Sequence, residues 1–75
     1  MLYHKRIRKT RQENREAQRE IAEILGTTQQ AYNDYEHEKN EIPASRIKIL
    51  YEHWNVSADY LLGLIDDPKP LKQEE

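Results

Sequence analysis

Three amide side chains, Gln29, Gln30 and Asn33, fall close together in a chain of 75 residues. A primary amide offers one hydrogen-bond acceptor and one donor group in a plane, which complements adenine N6 and N7 in the major groove of DNA. Exposed helix faces are more often built from Glu and Lys. The alternative is a polar surface without a binding role, because short motifs also arise by chance. On these residues alone, the second interpretation is favoured.

Two short helical patterns on either side of Gly26 would position these amides. Before the glycine, Ile21, Ala22 and Leu25 form one apolar stripe, and charged residues occupy the opposite side. A left-handed residue, most often glycine, commonly ends a helix directly after its last apolar position. The spacing therefore predicts that this helix stops at Leu25.

The next helix is predicted to begin immediately after the glycine. Thr27 and Thr28 are candidate N-caps, and Thr27 has Gln30 three residues later, which is the spacing of a capping box. The positions that face the preceding helix are apolar or aromatic: Ala31, Tyr32 and Tyr35. The positions left toward solvent are polar: Thr28, Gln29, Gln30, Asn33 and Asp34. Two helices joined by so short a turn cross steeply.

A first helix from about Tyr3 to Asn14 is indicated by Tyr3, Ile7 and Thr10 at helical spacing. Its apolar face is thin, and Asn14 is the only stop signal before the second helix. No glycine lies between the two helices, so local propensity would allow a helix to continue through residues 14–16.

Two more helices are predicted after the polar pair. Ile42-Pro43 favours an extended entry, and a core-facing stripe follows at i, i+3, i+4 and i+7. That stripe consists of Ile47, Leu50, Tyr51 and Trp54. Ser57 is the expected cap of the last helix, Gly63 its expected end, and its apolar face consists of Tyr60, Leu61 and Leu64. We expect residues 1–65 to form one domain and residues 66–75, with two prolines among polar residues, to form a flexible tail.

Composition limits the classes of function. There is no cysteine, which fits a reducing cytoplasm, and no apolar run long enough to span a membrane, so a cytoplasmic soluble protein is expected. The net charge of −2 and the isoelectric point near 5.9 are unlike those of a basic nucleic-acid binder. The charge is uneven, however: residues 1–40 carry eight basic and seven acidic side chains, and residues 41–75 carry four and seven. The acidic excess therefore lies away from the amides.

Neither a metal site nor a catalytic site is expected. The histidines at positions 4, 37 and 53 have none of the spacings of metal sites and are expected to be solvated. Ser45 and Ser57 occupy cap positions, and nothing in the sequence builds an oxyanion hole. No cofactor is implied, and an enzyme is not expected.

From about Arg6 to Gly63 the chain resembles the helix-turn-helix family of Cro, lambda repressor and the XRE regulators. The positions that carry the resemblance are Gln18, Glu20-Ile21-Ala22, Leu25-Gly26, Thr28-Gln29, Tyr35-Glu36, Ile42-Pro43, Val56-Ser57 and Tyr60-Leu61-Leu62-Gly63. The resemblance implies an all-α, five-helix, lambda-repressor-like domain that binds double-stranded DNA as a homodimer, with the helix at about residues 28–36 in the major groove.

Roles for individual residues also follow from the resemblance. Gln18 would contact a phosphate and brace Gln29. Bases would be contacted by Gln29, Gln30 and Asn33. Phosphates would be contacted by Thr28, Lys39 and Asn40.

Several residues depart from the family pattern. Thr10 and Glu16 stand where aliphatic residues are usual, so we expect them to weaken the core, and Ala17 replaces the usual Ser or Thr cap. Asp34 and Glu38 place acid near the groove, where they would repel phosphate or select cytosine. The alternative function is an antitoxin-like or anti-repressor module that keeps the fold and binds a basic protein through its acidic surface.

Overall fold

The computed structural model describes residues 2–67, and within that range the chain forms five helices and no strand. The helices are α1 (Leu2–Glu13), α2 (Gln18–Leu25), α3 (Gln29–Glu36), α4 (Ala44–His53) and α5 (Ala58–Leu61). The most extensive helix–helix packing joins α2 to α3, and α1 packs on both α3 and α5. The predicted all-α, five-helix fold is confirmed.

A single core joins the apolar faces of all five helices. The buried apolar residues are Tyr3, Ile7, Ile21, Ala22, Leu25, Tyr32, Tyr35, Ile42, Leu50, Tyr60 and Leu61. The predicted stripe of α2 is therefore entirely buried, and so are both tyrosines of α3. Thr10 is also buried, but its hydroxyl donates to the carbonyl of Arg6 at 2.8 Å, so its polar group is satisfied within the helix.

The turn between α2 and α3 follows the glycine prediction but shifts the cap by one residue. Gly26 adopts a left-handed φ of 71°, and the N–H of Thr27 donates to the carbonyl of Ala22 at 2.9 Å. The second helix therefore ends at Leu25, as predicted. Thr28 is the N-cap of α3, accepting from the N–H of Ala31 at 3.1 Å. The predicted capping box of Thr27 and Gln30 is wrong, because α3 begins at Gln29 and leaves Thr27 one position too early.

The break between α1 and α2 uses a residue other than glycine. Arg15 itself takes the left-handed conformation, with φ of 56°, which costs a non-glycine residue about 1 to 2 kcal/mol. The guanidinium of Arg11 donates to the carbonyl of Glu16 at 2.8 Å and holds the turn. Helix α1 ends one residue before the predicted Asn14. At the start of α2, Glu20 accepts from the N–H of Ala17, which is the half of a capping box that does not need a Ser or Thr cap.

Glu16 connects this break to the end of α4. Its carboxylate accepts from the indole N–H of Trp54 at 2.6 Å and lies 2.6 Å from Nε2 of His53. Where an aliphatic side chain would pack, the chain instead places an anion with two partners. That Glu16 weakens the core stays a prediction.

The last two helices agree with prediction except at Leu64 and at Ser45, which lies inside α4 because the N-cap is Pro43. In α4, Leu50 is fully buried, while Ile47, Tyr51 and Trp54 are half-buried against the core. Ser57 caps α5 by accepting from the N–H of Tyr60. Leu64 is 71% exposed and not part of the α5 face, because α5 ends at Leu61 and the chain turns at Gly63, whose φ is 81°.

Two further predictions concern the histidines and the tail. His4 is buried, not solvated: its ring stacks on Tyr3 and its Nδ1 hydrogen-bonds to the carbonyl of Tyr35. The predicted flexible tail falls mostly on residues 68–75, which lie outside the described residues. No helix among residues 2–67 is long and apolar enough to cross a membrane.

Candidate nucleic-acid interface

Four of the predicted site residues line one surface depression: Gln18, Gln29, Gln30 and Asn33. Gln18 is the first residue of α2, and the other three lie on α3. The short turn at Gly26 places the start of α2 beside the polar face of α3. We call this surface the amide face.

The amide face is exposed because the opposite side of α3 is anchored in the core. Tyr32 is fully buried and Tyr35 is 6% exposed, and their rings meet edge to face. Since residues on one helix face recur every three to four positions, burial of these two tyrosines turns Gln30 outward, and Gln29 is exposed as the first residue of α3. Asn33 is half-buried at the edge toward α2.

A buried ion pair lies beneath the amide face. The carboxylate of Glu36, whose side chain is fully buried, accepts from Arg11 Nε at 2.6 Å and Nη2 at 3.1 Å. The hydroxyl of Tyr32 donates to the same carboxylate at 2.5 Å. Sequence reasoning included Glu36 only as part of the family pattern and did not predict this pair. Twenty-five positions separate Arg11 from Glu36, and no local spacing connects them.

The surroundings of Glu36 keep it ionised. Burial by itself would raise the pKa of the Glu36 carboxyl, but the hydrogen bonds from Arg11, Tyr32 and Gln18 outweigh burial and lower that pKa below its ordinary value. The bond to Glu36 raises the pKa of the Arg11 guanidinium. Burial and the neighbouring carboxylate raise the pKa of Tyr32. At neutral pH the site therefore holds a carboxylate, a guanidinium and a neutral phenol.

Gln18 links the ion pair to the amide face. Its Nε2 donates to Glu36 Oε1 at 3.1 Å and to Asn33 Oδ1 at 3.0 Å. The resemblance implied that Gln18 braces Gln29, whereas in the structure it holds Asn33. Both amide hydrogens of Gln18 are used inside the protein, so its side chain has none left to donate to a phosphate.

The two glutamines of α3 differ in how far hydrogen bonds restrain them. Gln30 donates from Nε2 to Asp34 Oδ1 at 2.9 Å, one turn further along α3. This bond is solvent-exposed and competes with water. Gln29 is exposed, and its amide has no hydrogen-bond partner in the described part of the chain.

The other three predicted site residues lie outside the depression. The hydroxyl of Thr28 is used as the cap of α3, although the residue remains exposed. Lys39 and Asn40 are exposed in the loop after α3, where the N–H of Lys39 donates to the carbonyl of Asp34 at 2.9 Å. Glu38 has a left-handed φ of 63°. The loop thus places Glu38 in a backbone conformation that glycine adopts more easily.

Among residues 2–67, no three His, Asp or Glu side chains come together in a way that could hold a metal ion. His37 bonds through Nδ1 to the carbonyl of Asn33, and His53 pairs with Glu16. The described histidines thus act within the protein's own hydrogen bonding.

Two helices joined at a glycine, with a polar second helix beside the start of the first, define a helix-turn-helix domain of the lambda-repressor-like fold. Comparison with protein families supports this assignment. The family described as a helix-turn-helix domain matches residues 4–66 of the chain. The chain therefore belongs to the helix-turn-helix family, of the XRE type.

One curated relative is the uncharacterized HTH-type transcriptional regulator YobD of Bacillus subtilis (strain 168). It is 36% identical to this chain over 69 residues, which cover 92% of the chain and 62% of the relative. The chain thus spans less than two thirds of that relative's length. No solved structure matched the chain.

Proposed function

We propose that this protein is a sequence-specific DNA-binding transcriptional regulator that places α3 in the major groove. The observation that carries the proposal is the amide face: α3 buries its tyrosines and exposes amides beside the start of α2. Amide side chains at this location can pair with base edges. The regulator name of the relative supports the same function.

Each of the seven candidate residues has a proposed role. Gln29, Gln30 and Asn33 contact bases, and Thr28, Lys39 and Asn40 contact phosphates. Gln18 positions Asn33 through its side chain. Any phosphate contact of Gln18 comes from its backbone N–H, because the first N–H groups of a helix lack intrahelical partners and attract anions.

We further propose that the protein binds as a homodimer and acts as a repressor. Two copies on a two-fold symmetric operator would place their α3 helices about 34 Å apart, one turn of DNA. The exposed Leu62 and Leu64 beside α5 are apolar side chains that a second copy would cover. Repression needs only that the bound dimer occupy a promoter, and a reporter gene downstream of the selected operator measures it.

Selection of bound duplexes from a random pool tests the proposal. Gln29→Ala should lose about 1 to 3 kcal/mol per half-site on the selected operator and little on random DNA, since one base contact disappears. Lys39→Ala should weaken all duplexes alike and lower the slope of log affinity against log salt by about one per subunit. Lys48→Ala, an exposed lysine on α4, is the matched control and should change neither quantity.

Two results would contradict the proposal that the amide face binds DNA. If no sequence is enriched, or if Gln29→Ala and Lys39→Ala leave binding unchanged on every enriched sequence, the amide face does not contact DNA. The antitoxin-like or anti-repressor alternative then gains, with Asp34 and Glu38 as the first residues to test against a basic protein partner.

A further inference from the structure

We infer that the buried ion pair of Arg11 and Glu36 sets the hydrogen-bond polarity of Asn33 through Gln18, so that Asn33 presents a donor and selects guanine. This inference rests on the proposed function and deepens it by naming the base that one residue prefers. It concerns orientation within the amide face, which composition alone leaves open.

The buried carboxylate of Glu36 fixes the orientation of the Gln18 amide. An ionised carboxylate can only accept hydrogen bonds, and the Glu36 side chain is fully buried. The end of the Gln18 side chain lies 3.1 Å from Glu36 Oε1. The atom at this distance must therefore be Nε2, which carries the hydrogens, and not the amide oxygen. Hydrogen bonds to an ionised partner are about twice as strong as neutral ones, which holds this orientation firmly.

The orientation of the Gln18 amide in turn fixes that of Asn33. The NH₂ group of Gln18 has two hydrogens, and the second is donated to Asn33 Oδ1 at 3.0 Å. The oxygen of Asn33 thus points toward α2. Its NH₂ group has no hydrogen-bond partner in the described part of the chain and points away from Gln18. Rotating the Asn33 amide by half a turn would bring two NH₂ groups together and leave the second hydrogen of Gln18 without an acceptor.

The orientation of the Asn33 amide determines which base it can pair with. Pairing with adenine through both N6 and N7 needs an amide that offers its oxygen as well as its NH₂ to the base edge. Asn33 Oδ1 already accepts from Gln18 and points toward α2, so the group that Asn33 directs at the base edge is its NH₂. Guanine, with acceptors at both O6 and N7, is the base whose major-groove edge fits a donor alone. Gln29, which is unrestrained, can still present both groups and pair with adenine.

Selection of bound duplexes followed by three variants tests this inference. Asn33→Ala locates the base pair that Asn33 contacts, as the position that loses its preference. In the wild type, guanine should exceed adenine there by about five- to tenfold, the lower end of discrimination for one base contact. Gln18→Leu keeps a side chain of similar size but releases Asn33, so adenine should rise to at least equal guanine. The preference at the position contacted by Gln29 should persist and serves as the internal control.

Asn33→Asp tests, without altering Gln18, whether residue 33 contacts the base pair located by Asn33→Ala. An aspartate can still accept from Gln18, but it presents an acceptor to the DNA, so the preference should move to cytosine, whose N4 is a donor. Circular dichroism establishes that each variant is folded before its selection is interpreted.

The outcomes separate this inference from the proposed function. An enriched operator with adenine at the Asn33 position in the wild type overturns the inference and leaves DNA binding intact. So does a Gln18→Leu protein whose preference at that position is unchanged. A pool without any enriched sequence overturns the proposed function and the inference together.

Discussion

Replacing Glu36 by Gln should destabilise the protein severely while changing few atoms. The carboxylate accepts two hydrogen bonds from Arg11 and one each from Tyr32 and Gln18. An amide supplies one oxygen in place of two and turns an NH₂ group toward these donors. The Arg11 side chain, only 12% exposed, is left without its counter-ion. Removing one partner of a buried ion pair costs about 3 to 5 kcal/mol, a large part of the stability of a small domain.

The pH dependence of stability should change as well. The pKa of Glu36 is lower in the folded protein than its ordinary value of 4.5, so between these two values the unfolded chain binds more protons. Stability therefore rises with pH in that interval. The contribution of Glu36 is complete above about pH 4.5 and is lost as the pH falls through the lowered pKa. Glu36→Gln should lack this component.

Urea unfolding followed by the fluorescence of Trp54, the single tryptophan, measures both effects. Glu41→Gln, which removes an exposed carboxylate, is the matched control and should cost little. A loss below about 1 kcal/mol in Glu36→Gln would contradict the argument. So would a pH dependence identical to that of the wild type.

Three further substitutions probe other parts of the fold. Trp54→Ala should cost about 3 kcal/mol in urea unfolding, because it removes a large side chain packed on the core and leaves Glu16 without the indole donor; a loss under about 1 kcal/mol would assign Trp54 to a partner surface. Glu38→Gly should be more stable than Glu38→Gln by about 0.5 to 1 kcal/mol, because both variants remove the carboxylate and only glycine relieves the left-handed backbone, and equal melting temperatures for the two variants would refute the strain argument. Leu64→Ser should weaken dimerisation in sedimentation experiments without lowering monomer stability, and unchanged association would place the dimer contact elsewhere.

The sequence predicted those parts of the fold that depend on neighbouring residues. Gly26 and the stripe of Ile21, Ala22 and Leu25 identified the end of α2, and burial of Tyr32 and Tyr35 followed from their spacing. Thr28, not Thr27, proved to be the cap because two adjacent threonines satisfy the same local rule. Leu64 was misplaced because helical spacing was extended past the point where the chain turns.

The contacts that organise the candidate site could not be predicted in this way. Glu36 meets Arg11 from another helix, and Gln18 reaches Asn33 only after α2 and α3 have packed. Glu16 likewise finds Trp54 and His53 near the end of α4. A local sequence pattern shows how far apart residues lie along the chain. These contacts depend instead on how the helices pack in space. Sequence reasoning identified the exposed amides but not what orients them.

Each of the four connections between the described helices contains one left-handed residue: Arg15, Gly26, Glu38 and Asn55. Only the connection between α2 and α3 uses glycine there, so the turn that forms the amide face is the relaxed one. At the other three, the backbone carries a conformational cost, smallest at asparagine, which tolerates this region better than Arg or Glu. These positions form a set of sites at which the thermal stability of the domain can be tuned, by design or by evolution, while every residue of the core and of the amide face stays the same.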